Sequence, residues 1–198
     1  MSTEKIAVLG AGAFGTALAI HLARRGNPTI LWARNSAQLL AMETARENTQ
    51  YLAGVPFPAK LHVEANLAHA IGNASQIIVA TPSNALAEVL RTIAPFMHAG
   101  QGVVCAAKGL QPLTALMPHE VMHKELAPNC PIALLSGPTF ARELAMGLPT
   151  AVSIASSDAV FAEKIARIFH GDGFRAYPSD DLIGVAIGGA AKNVMAIG

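Results

Sequence analysis

A doubly wound, mostly parallel α/β sheet followed by the start of an all-helical part is the architecture this sequence predicts. Three observations carry that prediction. Short apolar runs rich in β-formers alternate with helical stretches from the first residues onward, which is the pattern of βαβ units. The chain is 52% hydrophobic and 14% charged, where about 25% charged is typical, and low charge suits a sheet buried on both faces. From about Asp181 the alternation stops and one long apolar helix takes its place.

In chain order, "KIAVLG" (5–10) is the first strand and "FGTALAIHLARRG" (14–26) a helix closed by glycine. "PTILW" (28–32) is the second strand, with a polar helix over about 36–47. "NTQYLAGVPFPAKL" (48–61) reads as a loop from its Pro, Gly and Asn. "QIIVAT" (76–81), "GVVCAA" (102–107), "PIALLS" (131–136) and "TAVSIA" (150–155) repeat the strand pattern. Helices are expected between most of them, for instance over 85–93 and 159–169, and "FRAY" (174–177) is the last strand. With 198 residues, the chain holds one large domain, or one domain and part of a second. The boundary is placed near Pro178: 1–178 a dinucleotide-binding domain, 179–198 the first helix of a truncated helical substrate domain.

Several function classes are disfavoured. Net charge is +1 and no run of Lys or Arg is interleaved with aromatics, so nucleic acid is not an expected partner. The two cysteines, Cys105 and Cys130, make neither a metal spacing nor a disulfide framework, and no metal site is expected. Residues 6–22 are apolar enough to mimic a leader core, yet Glu4, three interspersed glycines and the following Arg24-Arg25 argue against one. Nothing else approaches a membrane span, and the expected location is cytoplasmic.

"GAGAFG" supplies Gly10, Gly12 and Gly15 where the first strand ends and the first helix begins. That is the setting a GxGxxG motif requires in a Rossmann-type fold. Gly10 permits the tight turn, Gly12 lets backbone approach a pyrophosphate, and Gly15 lets helix pack on strand. Free N–H groups at the helix start complete the anion site. The second strand ends in "LWARNS", with Arg34 and no acid. An acid there would accept hydrogen bonds from an NAD ribose, whereas a guanidinium can pair with a 2′-phosphate. NADP is therefore favoured over NAD, with a plain surface arginine as the alternative.

Further on, Ser83 or Asn84 in "ATPSNAL" is expected to cap the next helix, at a strand end where ligands also sit. Lys108 in "CAAKGL" stands at a strand's carboxyl end, placed to meet a phosphate or carboxylate, with a plain surface lysine as the alternative. "LSGPTFARELA" repeats strand, turn and helix, with Thr139 the expected N-cap after Gly137. In the last helix Gly184, Gly188 and Lys192 share a stripe, flanked by Gly189 and Asn193. Interior glycines each cost about 1 kcal/mol relative to Ala, so something is expected to approach closely, another backbone or a ligand. A lysine ending that stripe, in an apolar setting and near a cation such as Lys108, would titrate closer to neutrality and serve as proton donor and acceptor. The alternative is a lysine reaching past a packed helix to water.

These stretches together resemble the NAD(P)-dependent glycerol-3-phosphate dehydrogenases of the bacterial type. "GAGAFGTALA", "QYLAGVPFP", "ATPS", "AAKGL", "SGPTFARELA", "PTAVSIAS" and "GGAAKNVMAIG" match that family in order and spacing along the whole chain. The resemblance implies a Rossmann domain followed by an all-helical domain. It implies an oxidoreductase moving a hydride reversibly between NAD(P)H and dihydroxyacetone phosphate. The product is sn-glycerol 3-phosphate for phospholipid synthesis, a step of lipid metabolism. It implies Lys192 as the catalytic acid/base, Lys108 in contact with substrate and cofactor, and Gly137 with Thr139 lining the substrate site. Ala13, Phe14, Arg34 and Ala141 fall on cofactor-contacting positions. A homodimer is compatible with these features.

The chain departs from the family pattern in three places. Ala186-Ile187 precede "GGA" where an acid or amide is common, and Ala53 stands where proline is frequent. Family members also continue past "KNVMAIG" into the helical domain. The expectation is accordingly an N-terminal portion that binds cofactor and is inactive alone. A hydroxyacid or ketopantoate-type reductase would share the glycine loop but not "SGPTFARELA" with "AAKGL". A nucleotide-sensing module without turnover is the reading from another class.

Overall fold

The computed structural model describes residues 3–195, with side chains through Ala191. Strands and helices follow as β1 (Ile6–Leu9), α1 (Ala13–Arg24), β2 (Thr29–Trp32), α2 (Ser36–Ala45), β3 (Leu61–Glu64), α3 (Leu67–Gly72), β4 (Gln76–Val79), α4 (Leu86–Ile93) and β5 (Gly102–Cys105). Then come α5 (Pro118–Glu125), β6 (Ile132–Ser136), α6 (Ala141–Ala145), β7 (Thr150–Ala155), α7 (Ala159–Phe169), β8 (Phe174–Ser179) and α8 (Leu182–Met195). All eight strands join one sheet in the order β3-β2-β1-β4-β5-β6-β7-β8. β1 pairs with β2 on one side and β4 on the other, Ile6 facing Thr29 and Gln76, and both pairings are parallel. Winding therefore reverses at β1, the point where doubly wound sheets open a crevice at their carboxyl ends. Among the described strands only β6 and β7 pair antiparallel, so β7 and β8 run against the other six.

Covering both faces explains the unbroken apolar strands. Val8, Ile78 and Val104 point into a cluster with Leu18, Leu22, Phe161 and Phe169. Their neighbours Leu9, Ile77, Val79 and Val103 point the other way, onto Leu90, Ile93 and Met122. Each such side chain contributes about 1.5–3 kcal/mol on burial. Cys105 is buried in the second cluster, and burial pushes its thiol up to about 12. His21 of α1 is buried too, stacked 4.6 Å from the Phe174 ring, with Nε2 donating to the Phe169 carbonyl at 2.7 Å.

Two elements were not expected from sequence: β3, a four-residue edge strand that is only partly buried, and α3, which has six residues. Of the helices expected between strands, α5 starts at Pro118, where proline suits a first helical turn. The expected caps also differ. Ser83 and Asn84 lie inside a 3-10 turn (Ser83–Ala85) entered from Pro82, with no side-chain cap. Thr139 does not cap α6, since Phe140 holds the N-cap position without a side-chain bond. β8 continues through Pro178 to Ser179, and α8 begins three residues later. Asp181 accepts from the Gly184 N–H at 2.7 Å and so satisfies an orphan donor at the start of α8. α8 lies on β6, with Ala186 in the second cluster. No described helix is long and apolar enough to cross a membrane.

Candidate functional site

The glycine loop is built by close contacts that only hydrogen permits. Gly10 has φ +114°, and a Cβ there would lie 3.0 Å from the Ala80 carbonyl oxygen. At Gly15 a Cβ would overlap the Gly10 carbonyl oxygen itself, so α1 can start this close to β1 only with glycine there. Gly12 behaves differently. It is the N-cap of α1, and nothing described lies within 4 Å of a Cβ built on it. That open space faces a groove of about 880 Å³ lined by Gly10, Gly12, Arg34, Gln38, Thr81 and Glu88, among others. Thr81 Oγ1 is buried without a hydrogen-bond partner among the described residues. A helix N-terminus, an open glycine and an orphan hydroxyl in one groove fit an extended phosphate-bearing ligand such as a dinucleotide.

Two residues that sequence reasoning missed hold this loop in shape. Asn48 is wholly buried, its Nδ2 donating to the Ala11 carbonyl at 2.9 Å and to Thr16 Oγ1 at 2.8 Å. Its Oδ1 accepts from the Tyr51 N–H at 3.3 Å. Gln38 Nε2 of α2 donates to the same Ala11 carbonyl at 2.9 Å. Ala11 sits between the first two glycines, so both amides clamp the turn that would face the phosphates. The one sequence signal was an asparagine opening an otherwise unassigned loop.

Arg34 follows β2 and lines the groove, as expected, and its Nη1 stands 3.8 Å from Glu88 Oε1 of α4. Lys108 follows β5. Its Nζ donates to the Gly137 carbonyl at 3.2 Å and to Thr139 Oγ1 at 3.3 Å, and stands 5.0 Å from the centre of the Phe14 ring. Thr139 thus meets Lys108 instead of capping α6. Ala13 and Phe14 form the first turn of α1, and Ala141 opens α6, which packs against α1. Phe14 of "GAGAFG" and Gly137 and Thr139 of "SGPTF" are therefore brought together around the Lys108 ammonium.

Beyond Gly137 lies a cleft of about 370 Å³, lined by Ser136, Gly137, Pro138 and Ser153 on one side and Gly184, Val185 and Gly188 of α8 on the other. A Cβ on Gly137 would come 2.5 Å from the Ala151 carbonyl oxygen, which fixes glycine there. The close approach expected along the stripe occurs at its flank, where a Cβ on Gly189 would lie 2.8 Å from Ser136 Oγ. Gly184 is instead filled by the Asp181 carboxylate, and Gly188 has open space among the described residues. Lys192 and Asn193 belong to α8, but their side chains are outside the described residues. No group of three or more His, Cys, Asp or Glu among the described residues is arranged to hold a metal.

Comparison with known proteins matches residues 5–162 to the family model described as NAD-dependent glycerol-3-phosphate dehydrogenase N-terminus. A curated relative from Xanthomonas euvesicatoria pv. vesicatoria, named glycerol-3-phosphate dehydrogenase (NAD(P)+), is 46% identical over 195 residues, 98% of this chain and 57% of the relative. Another of that name, from Stenotrophomonas maltophilia, is 46% identical over the whole chain and 58% of its own length. The solved structure of glycerol-3-phosphate dehydrogenase from Coxiella burnetii superposes with TM-score 0.93 at 38% identity, covering 98% of this chain and 59% of that one. The chain therefore spans less than two thirds of the length of these relatives.

Proposed function

This chain belongs to the family of NAD-dependent glycerol-3-phosphate dehydrogenase N-terminal domains, and from that premise we propose that it is the cofactor-binding part of such an oxidoreductase. The reaction is reversible hydride transfer between NAD(P)H and dihydroxyacetone phosphate, giving sn-glycerol 3-phosphate for phospholipid synthesis in the cytoplasm. Residues 1–178 carry the dinucleotide, and 179–198 open the part that helps to enclose substrate. A homodimer is the assembly proposed.

The nicotinamide cofactor, when bound, supplies the hydride in one direction and takes it in the other. The remaining chemistry is assigned to the chain. The glycine loop and the start of α1 take the pyrophosphate, and Arg34 takes a 2′-phosphate where there is one. The observation that carries the reading is the position of Lys108, which reaches Phe14 beside the glycine loop and Gly137 and Thr139 beside the cleft. A cation shared by both is placed to hold the substrate's phosphate end. Lys192 is assigned the proton: its ammonium protonates the alkoxide oxygen formed at C2, and its neutral amine takes that proton back in the reverse direction. Asn193 assists at the substrate.

Reduction of dihydroxyacetone phosphate by the full-length protein tests this. Lys192→Met should lower kcat by about 10² to 10⁴ with dinucleotide affinity retained. Lys108→Met should also raise KM strongly, because it removes ground-state binding. Near-normal kcat in Lys192→Met would reduce that lysine to a helix residue reaching for water.

A further inference from the structure

Among the described residues, two charged side chains line the groove beside the glycine loop, Arg34 and Glu88, and they are opposite in sign and paired. The remaining polar lining groups, such as Asn35, Gln38, Gln50, Tyr51 and Thr92, carry no charge. Arg34 stands just after β2, while Glu88 stands in the first turn of α4, which follows β4. β2 and β4 flank β1 on opposite sides, so the pair spans the crevice that the glycine loop opens. Both side chains are mostly exposed, 87% for Arg34 and 72% for Glu88, so neither is locked in place by packing.

We propose that Glu88 is a specificity-determining residue, which holds Arg34 in the free protein and sets the balance between dinucleotides with and without a 2′-phosphate. The inference rests on the cofactor reading above and deepens it. Arg34 meets Glu88 through one 3.8 Å charge contact, not a two-pronged hydrogen bond. A 2′-phosphate that takes the paired donors of the guanidinium competes with the Glu88 carboxylate for that charge and enters as a dianion beside it. Both effects oppose the phosphorylated ligand. A ligand with a free 2′-hydroxyl has no need of Arg34 and leaves the pair standing. Arg34 alone would favour the phosphorylated form strongly, and Glu88 trims that advantage toward use of both. Because exposed pairs contribute little and are screened by salt, the trimming is a few-fold effect, up to about fivefold.

Dissociation constants for NADH and NADPH, read from nicotinamide fluorescence on the full-length protein, decide the matter. Glu88→Gln should raise the ratio of the NADH to the NADPH constant by about threefold at low ionic strength. The change should shrink at about 0.5 M salt. In an Arg34→Gln background the same substitution should move the ratio less, since no guanidinium remains to be released. A ratio unmoved by Glu88→Gln overturns the proposal, as does an equal shift in both backgrounds. Wild type that binds neither dinucleotide would overturn the cofactor reading, and this inference with it.

Discussion

Replacing Asn48 with alanine should destabilise the protein and loosen the dinucleotide loop together. The buried amide makes three bonds, to the Ala11 carbonyl, the Thr16 hydroxyl and the Tyr51 N–H. After truncation Ala11 keeps its bond from Gln38, and the Thr16 hydroxyl can turn to a carbonyl of its own helix. Tyr51 is 49% exposed, so its N–H can turn to water. The cost is then the net loss of three hydrogen bonds, about 0.5–1.5 kcal/mol each, plus a small cavity, about 2–4 kcal/mol in total. For a unit of this size that lowers Tm by roughly 4–16 °C. Dinucleotide affinity should fall by about threefold or more, since a loop held by one amide is less well preorganised than a loop held by two. Asn48→Asp is the sharper variant, because it sets a carboxylate oxygen against the Ala11 carbonyl where a donor is needed. Thermal unfolding and NADPH titration of wild type, Asn48→Ala and Asn48→Asp check this. An Asn48→Ala protein with unchanged Tm and affinity, or an Asp variant equal to wild type, would refute the clamp.

The other predictions separate fold from ligand. Gly15→Ala pushes a methyl into the Gly10 carbonyl and should destabilise by about 1–3 kcal/mol. Gly12→Ala meets nothing described within 4 Å, so it should leave Tm nearly unchanged and weaken NADPH binding; calorimetry with and without ligand distinguishes the two. Burial holds the His21 imidazole below its ordinary range, against the opposing pull of the Phe169 carbonyl. The unfolded chain then takes up a proton near pH 6.5 that the folded chain refuses until lower pH. His21's contribution to stability is thus full above that pH and is lost as pH falls below it. Urea melts at about pH 7.5 and about pH 5.5 should show the loss, and His21→Gln should flatten it.

What was legible in the sequence was local or periodic. Strands buried on both faces announce themselves as unbroken apolar runs, and in "GAGAFG" the tight turn at Gly10 and the close helix–strand approach at Gly15 are as expected, while Gly12 faces open space. β3 escaped because "LHVE" is four residues long on an edge, with alternate side chains turned outward. α3 escaped because six residues carry too little period to see. The caps failed for another reason. Ser83, Asn84 and Thr139 are good caps by type, but Pro82 imposes a 3-10 entry at one site, and Lys108 takes up the Thr139 hydroxyl at the other. Asn48 meets Ala11 across 37 positions and Lys108 meets Thr139 across 31. No spacing rule reaches that far, so the amide clamp and the Arg34–Glu88 pair were invisible before the strands were set side by side.

The glycines of α8 show how one sequence cost conceals several causes. From sequence they are equal, each about 1 kcal/mol worse than alanine in a helix, and together they call for one approaching object. In the structure they divide. Gly184 makes room for the Asp181 carboxylate that caps the helix, and Gly189 lets α8 settle against Ser136 of β6. Both belong to folding. Gly188 touches nothing described that a Cβ would meet, and it lines the cleft opposite Gly137 and Pro138. Helix propensity at that position is given up with no packing return among the described residues. What glycine preserves there is volume in a cleft of about 370 Å³, one turn before Lys192. Lys108, whose Nζ donates to the carbonyl of Gly137, sets a cation at the edge of the same cleft, in keeping with the anionic substrate proposed for it.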